Sequence, residues 1–196
     1  HQDMTEYYHL QADDDISLVV DHEVLETPGK YIDGEVYVDY ETVHDRFNDR
    51  FYWDANENVL LYTLPDNLVT VAAGSNTYQV GKENQSADYT IVRNDSNTMY
   101  LALDFVEQYT NITHEVYEDP NRTVINTVWG DVDTAPAKKA TQLRLKGGIK
   151  SPIVKDLEKG ETLTILDAGD SWTKAMTEDG VIGYLKNKFV GKVTTE

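Results

Sequence analysis

Val36-Tyr-Val-Asp-Tyr-Glu-Thr-Val43 and, further along, Met99-Tyr-Leu-Ala-Leu-Asp-Phe-Val106 share one pattern, a short strand-like run that passes into helical spacing. In the first stretch Tyr40, Val43 and Phe47 recur at i, i+3 and i+7, and Asp39 stands where a side chain can cap a helix. In the second, Leu103, Val106 and Tyr109 or Thr110 take the equivalent places. The continuation matches as well. Phe51-Tyr-Trp53, Asp54-Ala-Asn-Glu-Asn58 and Val59-Leu-Leu-Tyr-Thr63 correspond to His114-Glu-Val116, Glu118-Asp-Pro-Asn-Arg122 and Thr123-Val-Ile-Asn-Thr127, at a spacing of about 63 to 65 residues. Each copy reads as a strand, a helix, and two strands joined by an Asn/Asp-rich turn, because those side chains bond nearby backbone and tolerate left-handed geometry.

Ile16-Ser-Leu-Val-Val-Asp-His-Glu-Val24 supplies a further strand before copy one, and Thr77-Tyr-Gln-Val80 a weaker one before copy two. A unit of about 50 residues is marginal alone, so the two copies are expected to share apolar surface. Asp131-Val-Asp-Thr-Ala-Pro-Ala-Lys-Lys139 is small and polar and reads as a linker. It also marks a charge reversal: residues 1–136 carry 6 Lys/Arg against 27 Asp/Glu, whereas 137–196 carry 11 against 8. Beyond it the pattern is all strand: Thr141–Leu145, Ile153–Leu157, Thr162–Leu166, Trp172–Met176, Val181–Leu185 and Val190–Val193. Turn signals at Gly147-Gly148, Lys159-Gly160, Gly169-Asp170 and Asp179-Gly180 separate these strands as in a small curved barrel. The expected organisation is an extension over 1–15, α+β units over 16–74 and 75–130, a linker over 131–137 and an all-β barrel over 138–196.

These residues carry two family resemblances. Residues 137–196 resemble the bacterial SH3-like domain, through Lys159-Gly160 before Thr162-Leu-Thr-Ile-Leu166, then Ser171-Trp172-Thr-Lys-Ala, Gly183-Tyr184-Leu and Lys188-Phe189-Val190. That family's first-strand Asn-Val-Arg-Ser-Gly-Pro run stands here as Leu143-Arg-Leu-Lys-Gly-Gly148. The repeats, at 16–63 and 76–128, resemble the copper amine oxidase N-terminal-like, or stalk, domain of bacterial surface proteins, a label that implies neither copper nor oxidase chemistry. Two stalk-like units followed by an SH3-like barrel resemble the non-catalytic region of some bacterial glycoside hydrolases of family eighteen, including the opening Glu6-Tyr7-Tyr8 to Asp13-Asp14-Asp15 stretch. The resemblance implies an extracellular, envelope-associated spacer with the catalytic domain of the same parent chain as partner, and binding to peptidoglycan or another wall polysaccharide.

Composition narrows the chemistry. The chain has no cysteine, which removes disulfides and thiolate sites. A net charge of −18 repels phosphate backbones, so nucleic acid is not an expected partner. No apolar run reaches membrane-spanning length, and the opening His1-Gln2-Asp3 reads as a chain from which a leader or anchor has been trimmed.

No catalytic residue, metal or cofactor is expected. Asp54-x-Asn56-x-Asn58 imitates the start of a calcium loop, but Val59 and Pro65 fall where a glycine and a bidentate glutamate are needed. His1, His9, His22, His44 and His114 have no i, i+4 pairing, and Asp13-Asp14-Asp15 reads as a solvated run. The sequons at Asn84, Asn94, Asn111 and Asn121 are a by-product of Asn content. The candidate ligand contacts are Trp172 and Tyr184, whose faces can stack on sugars, with Lys146, Lys150 and Lys174 to meet anionic polymer. Two alternatives stand beside the spacer: a self-contained carbohydrate-active enzyme with an Asp/Glu pair, which requires a cleft and a raised pKa, or a purely structural spacer.

Overall fold

Residues 1–196 are described by a computed structural model that is mostly β, 47% strand against 10% helix, in three sheets. This corrects the expectation of α+β repeats followed by an SH3-like barrel: the helical stretches are short, none longer than the eight residues Tyr40–Phe47, and no barrel closes. The helical pattern of copy one yields only α-helix Tyr40–Thr42 and a π-helical turn Val43–Phe47, that of copy two only Leu103–Glu107. A helix nucleus is costly and gains per residue only when extended. Asn48-Asp49 in one copy and the Tyr109-Thr-Asn-Ile-Thr113 run in the other are poor extenders.

In chain order, helix α1 (Met4–Tyr7) is capped by Asp3, whose carboxylate accepts from the Thr5 and Glu6 amides. Strand β1 (Asp15–Val20) turns at Asp21-His22 into β2 (Glu23–Val24), with φ of 46° and 71° at the two turn residues. Strands β3 (Gly29–Ile32) and β4 (Glu35–Asp39) are joined by Asp33-Gly34, at 53° and 79°. Two successive left-handed residues match the natural twist of a hairpin. Helix α2 (Tyr40–Thr42) and the π turn lead to β5 (Phe51–Asp54), β6 (Val59–Thr63), β7 (Leu68–Ala72), β8 (Thr77–Val80) and β9 (Glu83–Ser86). Then come β10 (Val92–Asp95), β11 (Thr98–Ala102), α3 (Leu103–Glu107), β12 (Thr113–Tyr117) and β13 (Arg122–Asn126). The last part holds β14 (Asp133–Pro136), β15 (Thr141–Arg144), β16 (Ile153–Leu157), β17 (Thr162–Ala168), β18 (Trp172–Thr177), β19 (Ile182–Lys186) and β20 (Thr194–Thr195).

Two compact units use these elements. The first comprises Ala12–Ile16 and Pro28–Thr113. Here β10, β11, β4 and β3 pair in that order, and Asp15 and Ile16 pair with Lys30 and Gly29. Strands β5 to β9 form a separate meander. Asp39 caps α2 as its position suggests, accepting from the amide and hydroxyl of Thr42. Asp54 accepts from the Asn56 and Glu57 amides, which makes the calcium-like stretch the turn of the β5–β6 hairpin. Phe51, Tyr62, Phe105 and Tyr109 form one aromatic cluster with centroids 4.5–6.4 Å apart.

The second unit comprises His1–Gln11, Ser17–Thr27 and His114–Glu196. Ser17–Val20 runs parallel to Arg122–Ile125, with β12 beyond. The other sheet is an open path, β16-β15-β19-β18-β17-β14-β20. The stretch read as a linker contains β14, which pairs with both β17 and β20. Leu143, Val154, Leu157, Leu163, Ala175 and Leu185 bury one side of the sheet, each fully buried leucine contributing about 1.5–3 kcal/mol. On the other side Met176 and Ile182 are packed under Tyr7, Tyr8, Val19 and Val124. The Tyr7 hydroxyl donates to the Ile182 carbonyl at 2.6 Å and accepts from its amide at 2.8 Å, and the Tyr8 hydroxyl donates to the Gly180 carbonyl at 2.7 Å.

Candidate functional site

Alternation along paired strands decides which side chains meet on the remaining part of that sheet face. Trp172 lies opposite Lys186, Lys174 opposite Tyr184, and Tyr184 opposite Arg144. The intervening Thr173, Ala175 and Leu185 point to the core and are buried. Trp172, Lys174, Tyr184, Lys186 and Arg144 therefore share one half-buried face. Where α1 and its neighbours cover Met176 and Ile182, the face is closed; around Trp172 it is open.

At that open end lies a cleft of about 320 Å³, lined among others by Lys139, Arg144, Lys186, Trp172, Phe189 and Ile149. No carboxylate lines it, although the chain carries 35 Asp and Glu. Lys139, Arg144 and Lys186 make no ion pair. Ile149 is 63% exposed at the rim. Two ammonium groups lie over the Phe189 ring, Lys139 at 4.9 Å and Lys188 at 5.2 Å from its centroid. Gly147 lets the Trp172 side chain approach the adjoining loop closely, since a Cβ there would sit 3.0 Å from the Trp172 Cγ. That loop is tied by the Leu145 amide to the Pro152 carbonyl and by Arg144 to the Ser151 carbonyl, so the platform is held from both sides.

Of the residues singled out from the sequence, Trp172 lines the cleft. Tyr184 and Lys174 sit beside it on the same face, one strand-pair step away. Lys146 and Lys150 are exposed in the adjoining loop. Lys139, Arg144, Lys186 and Phe189 were missed. Lys186 is signalled by the two-residue alternation with Tyr184, whereas Arg144 lies on another strand and only the strand pairing brings it to this face.

A different arrangement occurs in the first unit. Glu35, at the start of β4, faces Asp104 and Glu107 of α3. Desolvation, a hydrogen bond with Asp104 and repulsion from both carboxylates push its carboxyl up to about 8. Tyr89 beside it is raised to about 12, by burial first and then by the charges of Asp104 and Glu35. Glu35 lines a cleft of about 260 Å³ with Asp33, Asp88 and Tyr89. A cleft and a raised pKa are what the enzyme alternative requires. Yet carboxyls that hydrogen-bond to each other lie closer than the about 5 Å that admits a sugar between nucleophile and acid.

The architecture thus defines a mostly β protein with a cationic-aromatic cleft free of carboxylates, and with an acidic body. The copper amine oxidase N-terminal domain family matches residues 19–126, more than half of the chain, and the chain belongs to that family. The family is non-catalytic. No curated protein and no solved structure matches the chain.

Proposed function

We propose that this chain is a non-catalytic spacer of the bacterial cell envelope that binds wall polysaccharide through the Trp172 cleft and so positions a catalytic domain of the same polypeptide. The observation that carries this reading is the carboxylate-free lining of that cleft, with three unpaired cations around an indole, on a protein of net charge −18. An indole face stacks on a sugar ring, and the cations meet carboxylate or phosphate groups of an anionic polymer. Tethering a glycoside hydrolase of family eighteen to insoluble substrate raises its effective concentration without adding a catalytic group. Membership of a non-catalytic family fits an accessory role, and the sequence resemblance to accessory regions of such hydrolases is the ground for the partner.

The test is cosedimentation of the whole chain with insoluble peptidoglycan and with chitin across a salt titration, with Trp172→Ala and a Lys139→Gln/Lys186→Gln double variant. Retention should fall about tenfold or more in Trp172→Ala and weaken with salt. Retention by neither polymer at low salt would leave a purely structural spacer. Hydrolysis of either polymer by the chain alone would favour a self-contained enzyme instead.

A further inference from the structure

The first unit contains a second cleft, of about 570 Å³, unrelated to the Trp172 platform and lined by residues of β3, β4, β10, β11 and the turns beside them. Its two cations differ in kind. Lys30 is fully engaged: its ammonium group contacts Asp14 at 3.0 Å and Asp15 at 2.9 Å. Arg93 is not. Its side chain is 32% exposed, makes no hydrogen bond, and has for ionic contact only Asp33 at 3.7 Å, itself 88% exposed. The Arg93 Nε is shut off from solvent without a partner. Guanidinium groups this buried are normally held by one or more charge-assisted hydrogen bonds.

The rest of the wall explains how that cation is kept in place. The Arg93 guanidinium lies over the Tyr37 ring, 5.1 Å from its centroid. Tyr37 is itself buried and anchored by its hydroxyl to the Thr90 carbonyl at 2.7 Å. The guanidinium plane is therefore set by a fixed ring, while its donors stay unassigned. Around it Asn58, Asn94 and Tyr100 line the cleft, and none of their side chains makes a hydrogen bond within the protein. Asp95 adds a carboxylate that can accept from hydroxyls.

From this we infer that the Arg93 cleft binds an acidic sugar residue, its carboxylate on Arg93 and its hydroxyls on Asn58, Asn94, Tyr100 and Asp95. One guanidinium whose only ionic contact is a long one to the exposed Asp33 matches a monoanion, and planar amides and a carboxylate match neighbouring hydroxyls. A phosphate, with its greater charge, needs more cations or backbone amides than this wall offers. The volume suits one or two sugar rings.

The experiment is calorimetric titration of the intact chain with digalacturonic acid and a muramyl disaccharide, alongside galactobiose and chitobiose as neutral counterparts. At least one acidic sugar should bind and both neutral ones should bind at least tenfold more weakly. Arg93→Gln should reduce acidic-sugar binding about 10- to 100-fold. Arg93→Lys, which keeps the charge but loses the fork, should recover only part of it. Asn94→Asp is exposed and leaves the fold intact, and should weaken binding by placing a like charge beside the ligand. The same titrations are run on the Trp172→Ala protein, where the Arg93-dependent component of acidic-sugar binding should persist, which separates the inference from the wall-binding reading. Absence of acidic-sugar binding, equal binding of neutral sugars, or indifference to both Arg93→Gln and Asn94→Asp would overturn it.

Discussion

Asp179 in one unit and Glu35 in the other are half-buried carboxyls with opposite surroundings. Asp179 accepts from the Thr177 hydroxyl, from Lys155 at 3.0 Å and from Arg122 at 2.9 Å. Arg122, 5% exposed, also donates to the Asp179, Glu118 and Pro120 carbonyls and lies over the rings of Tyr8 and Tyr117. Burial pushes the Asp179 carboxyl up, but the bonds from Thr177 and Lys155 and the charges of Lys155 and Arg122 outweigh it and hold it below its ordinary 3.8. Glu35 has the carboxyls of Asp104 and Glu107 against it, which together with burial push it up to about 8. Equal burial therefore says little about a carboxyl's role; the sign of what surrounds it decides whether it ties the fold together or opposes it when ionised.

The largest effect is expected from Asp179→Ala, which leaves Arg122 buried without its partner. At pH 7 it should cost about 3–5 kcal/mol, read by urea denaturation. Because the Asp179 pKa is depressed on folding, its contribution is present above pH 3.8 and is lost as pH falls through the folded value. The variant and the parent should thus converge in acid. Gly180→Ala comes next. Gly180 has φ of 83°, and a Cβ there would come within 2.7 Å of the Val124 Cγ2. Strain and overpacking together should cost about 3 kcal/mol by the same measurement. An Ala variant as stable as the parent would show that β13 shifts without penalty.

Glu35→Gln should act in the opposite direction. A carboxyl raised from 4.5 to about 8 on folding stabilises the protein fully below pH 4.5 and loses that contribution as pH rises through 8. Solvent screens this half-exposed group, so the melting temperature of the Gln variant should exceed the parent's by only about 2–4 °C at pH 9. At pH 4 the two should agree. A Glu35→Gln protein that melts below its parent at pH 9 would break the contrast with Asp179. Smallest of all is Gly147→Ala, where an added Cβ must displace the indole by a few tenths of an ångström. Stability should change by less than about 1 kcal/mol, while polysaccharide retention falls if the Trp172 platform is the binding surface.

Several local features were legible in the sequence. Asp39 was readable as a cap, Asp54 to Asn58 as a turn, and most of the later strands fall within a residue or two of where alternation puts them. The copies of the repeat diverge in a way their matched pattern conceals. The hairpin after copy one extends into the β5–β9 meander, whereas that after copy two pairs beside β1. Pattern matching records which residues face a core, and is silent on which strand supplies the next partner. The role of Tyr7 and Tyr8 was hidden for the same reason: their hydroxyl partners, Ile182 and Gly180, lie more than 170 residues away.

The sequence by itself determined the local vocabulary of this protein: strands from two-residue alternation, left-handed turns from Asp, Asn and Gly, an acidic body and a slightly basic C-terminal part. These depend on steric preference and charge, which act over a few residues or need no geometry at all. Tertiary structure alone decided that the helical spacing would yield only short helical stretches in a mostly β protein, that residues 133–136 would be a strand, and that Arg144, Lys186 and Trp172 would line one cleft without a carboxylate. Strand pairing joins residues far apart in sequence, and the free energy of each pairing depends on a partner that local pattern does not name.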